Sequence, residues 1–420
     1  MGKCKTVAAL LALPLTMACA SAALAAPGDP VKVGEGLTLD PIVDGRLRWE
    51  NVTTPTLDAD AVTLRLRAGA ELKHSSGLAF LAEAEGTLAI VDHYNAFAFP
   101  IADTQRRPGF AVVADPMNIE LNRIQLQYKS KPLTLTVGRQ RINLDDQRFV
   151  GSVGWRQNEQ TFDAGRVEAS LGPVSLDGTF ATAQRTILGF DAGPRLAYDG
   201  KFWFLGAGVK QGPVQAKAFA YLLDYNPAEQ VGTLAAPNAD TQTYGVRVTA
   251  ALPLAGKTKV NLAASYARQS DWKQNPANYA VSYLAGEAGL ALANGFGATA
   301  GYEKLGGNGT RAFQTPMATL HKFNGWADLF LTTPAAGLED WYGGVTWKFA
   351  QVKALPGLNA AVTYHRFESD AGSVHYGNEW DASLGFKLGR ANLLAKYANY
   401  NADKFSVDTA KFWLQLELAY

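Results

Sequence analysis

The feature that most constrains the fold is an alternation of apolar and polar residues that recurs along almost the whole sequence. In residues 62–73, valine, leucine and alanine occupy every second position, while Arg65 and Arg67 lie among the residues between them. The end of the sequence repeats the pattern from Phe412 to Tyr420. Successive side chains of a β-strand point to opposite faces, so each stretch predicts a strand with one apolar face and one polar face.

The connections between these stretches alternate between short and long. Gly172-Pro173 and Gly212-Pro213 are short, whereas the connections around 144–159 and 306–339 are long. We count about eighteen strands of roughly 10 to 13 residues, which suits a tilted strand that crosses a bilayer. Short periplasmic turns and longer extracellular loops are typical of outer-membrane barrels. The sequence therefore predicts an all-β fold, a transmembrane antiparallel β-barrel in the outer membrane of a Gram-negative bacterium.

The start of the sequence has the pattern of an export signal, with a basic beginning, an apolar run and a small-residue cleavage site. We predict that residues 1–25 are a cleaved signal peptide, that 26–36 form a periplasmic lead, and that 37–420 form one barrel. Both cysteines, Cys4 and Cys19, fall in the predicted signal peptide. The mature protein is therefore expected to have no disulfide.

Aromatic residues on the apolar face are concentrated near predicted strand ends, as in the girdles at the two lipid–water boundaries of a barrel. They are Trp49, Tyr128, Tyr244, Tyr266, Trp341, Trp347, Trp380, Phe412 and Tyr420. The totals of 39 basic and 38 acidic residues almost cancel, which argues against a nucleic-acid partner. The expected partner of the outer face is membrane lipid.

The polar face of the strands carries many arginines, mostly in the N-terminal half. By alternation, the side chains directed to the lumen are those of Arg46, Arg48, Arg65, Arg67, Arg123, Arg166, Arg185 and Arg247, with the acids Asp44, Glu71, Glu83, Glu85, Glu168 and Asp177 among them. Fixed cations across a narrow lumen favour anions and orient flexible solutes. Alternatively, charged lumen residues only keep the channel wet.

Arg139 and Arg141 break the alternation, because the strand that starts at Leu133 would direct both toward lipid. Charge on the lipid face is costly near the bilayer centre. A β-bulge near Gly138 would shift the register by one residue and turn both arginines inward. We therefore predict a bulge at that glycine and include both arginines in the pore lining.

Two long segments resemble the alginate-export family of outer-membrane porins. The first runs from Gly138 to Asp163 and includes the runs 138–143, 146–151 and 155–157, and the second runs from His321 to Asp340. The resemblance implies an eighteen-stranded barrel with an arginine-lined constriction that passes an anionic polyuronate such as alginate. The arginines of the matched segments are Arg139, Arg141, Arg148 and Arg156.

The second of these segments is also the core of the longest connection, around 306–339. Loops of this length usually have a function or are disordered. Its aromatic residues would be poorly suited to a free extracellular loop, so we expect it to pack, by folding into the pore mouth, by capping the rim or against itself. The candidate constriction residues are His321, Lys322, Phe323, Trp326 and Asp328.

The five histidines show no spacing of a catalytic triad or of metal ligands, so the sequence predicts neither an enzyme nor a cofactor or metal. The predicted function is passive passage of anionic saccharides or small anionic solutes. The alternative is a barrel that acts mainly in surface adhesion or anchoring. We also expect the barrel-assembly machinery to recognise the C-terminal strand that ends at Tyr420.

Overall fold

A closed β-barrel forms the body of the protein, as seen in a computed structural model that describes residues 29–232, 234–235 and 238–419. The predicted signal peptide, residues 1–25, and Tyr420 lie outside the described residues.

Twenty-one strands are present in the described part of the chain. They are β1 (Val31–Gly34), β2 (Leu37–Thr53), β3 (Asp58–His74), β4 (Leu78–His93), β5 (Asn118–Lys129), β6 (Leu133–Gln140), β7 (Thr161–Leu171), β8 (Val174–Arg185), β9 (Ala197–Gln211), β10 (Val214–Tyr225), β11 (Gln230–Val231), β12 (Leu234–Ala235), β13 (Thr241–Pro253), β14 (Lys259–Asp271), β15 (Ala280–Ala291), β16 (Phe296–Leu305), β17 (Leu338–Lys348), β18 (Asn359–Glu368), β19 (His375–Leu388), β20 (Ala391–Ala402) and β21 (Thr409–Ala419).

Eighteen of these described strands, β2 to β10 and β13 to β21, form the barrel, each antiparallel to its neighbours. The barrel closes where β21 pairs with β2, from Ala419 opposite Asp44 to Ala410 opposite Thr53. The small strands β11 and β12 form a hairpin of their own. The predicted antiparallel barrel is confirmed. The predicted lead is partly a strand, since β1 pairs with β2.

Helical structure is confined to short segments. The 3-10 helices at Phe190–Leu196 and Leu320–Lys322 lie in long loops. Among the described residues, no helix combines the length and the apolar character that a membrane crossing would need.

The two faces of the barrel differ as the alternation predicts. Outward side chains such as Leu66 and Val137 are 50% and 58% exposed, whereas the inward side chains of Arg48, Arg65 and Trp413 are fully buried. A hydrocarbon surround favours the apolar outer face, and the inner face meets polar loops that fold back into the lumen.

A belt of aromatic side chains covers most of the outer wall near the extracellular strand ends. Its members are Trp49, Phe180, Trp203, Tyr244, Tyr266, Tyr302, Trp341, Tyr364, Trp380, Tyr397 and Phe412. Tyr128 and Trp347 lie exposed near the periplasmic ends. Such positions suit the lipid–water boundaries, where an aromatic ring can be apolar on one side and wet on the other.

The predicted bulge at Gly138 is wrong. Strand β6 keeps regular register with both β5 and β7 through Arg139, although Gly138 has φ +117° and a Cβ there would lie 2.3 Å from the Ile124 carbonyl oxygen. Arg139 therefore stays on the outer face, where it lies directly opposite Asp163. Arg141 turns inward because β6 ends at Gln140, one residue earlier.

The predicted lumen position of Arg185 is also wrong. The register shifts between Ala181 and Ala183, so the alternation that holds at the start of β8 is reversed at its end. Arg185 binds the carboxylate of Asp163 on the outer wall. An irregularity was predicted on the wrong strand, because a bulge leaves little signal in the sequence.

A charge placed on the outer face tests the orientation of the wall. Leu66 lies at the middle of β3 and Leu78 at the periplasmic end of β4, and both are exposed. Leu66→Arg should lower the free energy of unfolding by about 2–4 kcal/mol and Leu78→Arg by only about 0–1 kcal/mol, because the cost depends on depth. Denaturant titration in phosphatidylcholine vesicles, followed by tryptophan fluorescence, measures both. Equal effects would contradict this orientation.

Candidate functional site

Two long extracellular loops fold into the barrel instead of projecting from it. We call residues 141–160 the first inner loop and residues 306–337 the second inner loop. They meet in a parallel bridge between Val150 and Met317, where the Gly151 amide donates to the Met317 carbonyl at 2.9 Å. The side-chain amide of Gln160 donates to the same carbonyl at 2.9 Å. The two loops therefore form one layer across the lumen.

The first inner loop rests on arginines of strand β2. Nη1 of Arg46 donates to the carbonyl oxygens of Gly154, Trp155 and Arg156 at 3.1 to 3.2 Å. The guanidinium of Arg48 also bonds the Trp155 carbonyl and lies 4.1 Å from the centre of the Trp155 ring. These arginines satisfy backbone groups that would otherwise be buried without partners.

Asp328 ties the second inner loop to the rest of the layer. Its carboxylate binds Arg156 at 2.6 Å and Lys411 at 3.4 Å, and the ring of His321 at 2.8 Å. Burial alone would raise the pKa of Asp328, but His321, Lys411 and Arg156 outweigh it and hold that pKa well below its usual range. The carboxylate thus joins the first inner loop, the second inner loop and strand β21.

Lys396 lies at the centre of the layer, surrounded by aromatic rings. Its ammonium is 3.7 Å from the Trp326 ring centre, 3.9 Å from that of Trp155 and 5.3 Å from that of Trp413. Cations are attracted to the faces of indole rings, and more strongly when both are desolvated. The side chain is 7% exposed.

The geometry around Lys396 fixes the protonation of His321. Nζ of Lys396 lies 2.8 Å from Nε2 of His321, and an ammonium has only protons to donate. Nε2 must therefore accept, which leaves the ring neutral with its proton on Nδ1, donated to Asp328. Burial lowers the pKa of His321 well below its usual value, although Asp328 opposes this shift.

A pair of acids on strand β19 holds the second inner loop from the other side. Glu379 accepts from the Ala327 amide at 2.7 Å and Asp381 from the Trp326 amide at 3.2 Å. Gly325 lies directly against Glu379: it has φ +82°, and an added Cβ would be 2.3 Å from the carboxylate. Only glycine fits this turn without a shift of the loop.

The layer separates two cavities. The extracellular cavity, of about 420 Å³, has mainly apolar walls that include Phe99, Leu188 and Tyr279, and His321 and Asp328 lie at its base. The periplasmic cavity, of about 380 Å³, is more polar. Its lining includes Arg247, Glu287, Glu303, Asp340, Tyr342 and Lys322. The layer thus lies between the two cavities.

The predicted lumen arginines fall into two groups. Six are buried in or under the layer, each bound to a carboxylate: Arg46, Arg48, Arg65, Arg67, Arg148 and Arg156. Four are also paired with a carboxylate but remain half-exposed in the interior, with 16 to 31% of the side chain accessible: Arg123, Arg141, Arg166 and Arg247. Arg139 and Arg185 belong to neither group, because both lie on the outer wall.

The five candidate residues of the second inner loop do not form one surface. His321 and Asp328 are buried in the layer, and Trp326 covers Lys396. Phe323 lies under the guanidinium of Arg148, with 4.8 Å between the guanidinium carbon and the ring centre. Lys322 is exposed and donates to the Asp146 carbonyl at 2.8 Å.

Sequence reasoning missed the wall residues that receive this loop. Lys396, Lys411, Trp413, Glu379 and Asp381 were not candidates. The one signal in the sequence was the presence of Lys411 and Trp413 on the polar face of the last strand. In the described part of the chain, no three His, Cys, Asp or Glu side chains are placed to hold a metal ion.

Comparison with known proteins places these features in a family. A family model described as alginate export matches residues 50–303. A search of curated proteins found no match.

Solved structures of similar fold include proteins of two organisms. OccK1 (OpdK) of Pseudomonas aeruginosa is 15% identical, with a TM-score of 0.69, covering 92% of this chain and 99% of that one. The same organism's OpdK with vanillate is 15% identical, with a TM-score of 0.68 and coverage of 91% and 98%. OccAB3 of Acinetobacter baumannii is 14% identical, with a TM-score of 0.67 and coverage of 91% and 99%.

Removing the charge of Asp328 tests what holds the second inner loop in the lumen. Asp328→Asn leaves Arg156 and Lys411 buried without this carboxylate, and breaking a buried pair costs about 3–5 kcal/mol. The docked loop should therefore open more often, and the amides of 320–332 should exchange hydrogen for deuterium faster in detergent-solubilised protein.

Glu368→Gln is the control, because Glu368 pairs with Arg366 in an exposed ion pair at the barrel wall. This variant should leave exchange in 320–332 unchanged. Unchanged exchange in Asp328→Asn would show that the loop does not depend on this carboxylate.

Proposed function

The chain belongs to the alginate export family, and we propose that this outer-membrane barrel is a passive channel for anionic saccharides, such as a polyuronate like alginate, or for small organic anions. The observation that carries the proposal is the set of half-exposed arginines in the interior, Arg123, Arg141, Arg166 and Arg247. Guanidinium groups bind carboxylates in paired hydrogen bonds, so a chain of uronates can move from one arginine to the next.

The buried arginines have a different role in this proposal. Arg46, Arg48 and Arg156 hold the inner loops and give the narrow layer its shape, since their donors are already used by carbonyl and carboxylate oxygens. A passing solute would meet the half-exposed arginines instead. In this proposal the buried arginines thus shape the constriction, and the half-exposed arginines face the solute.

The acids of the periplasmic cavity are compatible with an anionic solute, because protein groups already engage them. Glu303 accepts from Arg148 at 2.6 Å and from Tyr283 at 2.7 Å. Asp340 lies 3.0 Å from His365. Engaged carboxylates repel an anion less than free ones do.

Two further observations support a channel over adhesion or anchoring. The two long inner loops pack into the lumen, so they do not add a large external surface. One solved structure of similar fold holds vanillate, a small organic acid. Alginate export is a transport activity, and we propose no catalysis.

Location in the outer membrane implies export and assembly of the chain. We propose that residues 1–25 are removed as a signal peptide and that the barrel-assembly machinery recognises strand β21 with the terminal Tyr420.

Reversal potentials in planar bilayers test the selectivity. The purified barrel should carry current and prefer chloride over potassium. The double variant Arg141→Gln, Arg166→Gln should reduce that preference by about two- to thirtyfold, because each of the two half-exposed charges contributes about 0.2–1 kcal/mol. Arg366→Gln, on the outer wall, should change nothing.

A competition experiment tests which class of solute the channel carries. Polyuronate oligomers added to one side should block the chloride current more strongly than neutral oligosaccharides of equal length. A barrel without current, or with a preference for cations, would overturn the proposal.

A further inference from the structure

One sector of the outer wall, formed by strands β5 to β8, differs from the rest. The extracellular aromatic belt has members on β2, on β8 and on most of the strands from β9 to β21, but within the described chain none on β3 to β7. At the corresponding height the sector carries charge on its outer face. We call Arg139, Asp163 and Arg185 the outer-wall triad.

The triad has two cations and one anion. Nε of Arg139 donates to Asp163 at 2.7 Å, and Nε and Nη2 of Arg185 donate to the same carboxylate at 3.2 and 3.1 Å. Their side chains are 19 to 28% exposed, so they reach the surface. A single carboxylate cannot neutralise both guanidinium groups, and Nη1 of Arg185 is not used by it. The triad therefore carries a net positive charge, which the nearby carboxyl group of Glu120 on β5 only partly offsets.

The wall on the extracellular side of Arg139 is incomplete. Pairing of β5 with β6 ends at Ile124 and Arg139, so residues 118–123 of β5 have no ladder partner on that side. Nη1 of Arg139 donates to the Leu121 carbonyl at 2.9 Å. One exposed strand-edge oxygen is thus satisfied by a side chain instead of a strand.

Apolar side chains border the triad on two sides. Toward the membrane interior lie Ile124, Val137 and Val167, which are 40 to 58% exposed. Two more lie on the extracellular side. Ile119 on β5 and Phe190, in the loop after β8, are each 70% exposed. The loop reaches across to β5, where the Phe190 amide donates to the Asn118 side chain at 2.9 Å. A patch that combines guanidinium groups with a flanking apolar surface suits an amphipathic molecule with an anionic head.

We propose that the outer-wall triad binds the phosphorylated head group of an outer-leaflet lipid, with the acyl chains against Ile124, Val137 and Val167, which extend from the triad toward the membrane interior. The triad lies at the extracellular ends of the strands, where phosphate groups of the outer leaflet are found, and phosphate accepts paired hydrogen bonds from arginine. Free phosphate would lack the apolar contacts.

A second copy of the chain is a weaker occupant. A two-fold dimer through this sector would bring its net positive charge against itself, since such an interface uses the same patch on both copies. Like charges brought together disfavour association.

Native mass spectrometry of the full barrel in detergent doped with diphosphoryl lipid A tests the proposal. The wild type should retain lipid adducts, and Arg185→Gln should reduce the bound fraction by about tenfold, because one charge-assisted contact to phosphate is lost. Arg139→Gln should act in the same direction. Because Arg139 also satisfies the Leu121 carbonyl, Arg185→Gln carries the test.

Arg366→Gln is the matched control, an outer-wall arginine paired one-to-one with Glu368, and should retain the wild-type bound fraction. Dephosphorylated lipid A and phosphatidylcholine should bind the wild type as weakly as diphosphoryl lipid A binds the Arg185 variant. Inorganic phosphate at equal concentration should not compete. Equal binding by wild type and Arg185→Gln, or a dimer that forms in place of the lipid adduct, would overturn the proposal.

Discussion

The need to pair every backbone hydrogen-bonding group in hydrocarbon governs this structure. Each barrel strand meets a partner on both sides, and the pairing of β21 with β2 removes the last pair of edges. One local departure lies between β5 and β6 above Arg139, where an arginine side chain binds a carbonyl oxygen that the strand pairing leaves free. Closure then leaves an interior large enough to receive two loops, and those loops create the layer across the lumen.

Inside the barrel, most of the charged side chains hold the inner loops in place. The arginines of β2 lie under the first inner loop and Asp328 joins that loop to the second, so deeply buried guanidinium groups hold backbone in place. Buried ions are costly unless they are fully paired, and here the carboxylates and carbonyls of the loops provide the partners. The buried ammonium of Lys396 is also fully surrounded by partners. These are aromatic rings, a neutral histidine and carboxylates instead of a single counter-ion.

Much of the fold could be predicted because alternation with a period of two is a direct consequence of strand geometry. The strand number, the orientation of Arg65 and Arg67 and the inward packing of the long loop could be reasoned from that pattern. Strand irregularities could not. Arg139 and Arg185 were assigned to the wrong face because a bulge and an early strand end depend on tertiary contacts. The wall residues that contact the second inner loop, such as Lys396 and Glu379, were missed because they lie far from that loop in the sequence.

The seam between the first and last strands has a consequence for biogenesis. Arg46 and Arg48 on β2 bind Glu417 and Gln415 on β21, while Lys411 and Trp413 of the same strand contact the inner loops. Part of the support for those loops thus lies on β21, the strand that closes the barrel on β2. A barrel that is still open lacks this support, so the inner layer is completed in the same event that closes the wall.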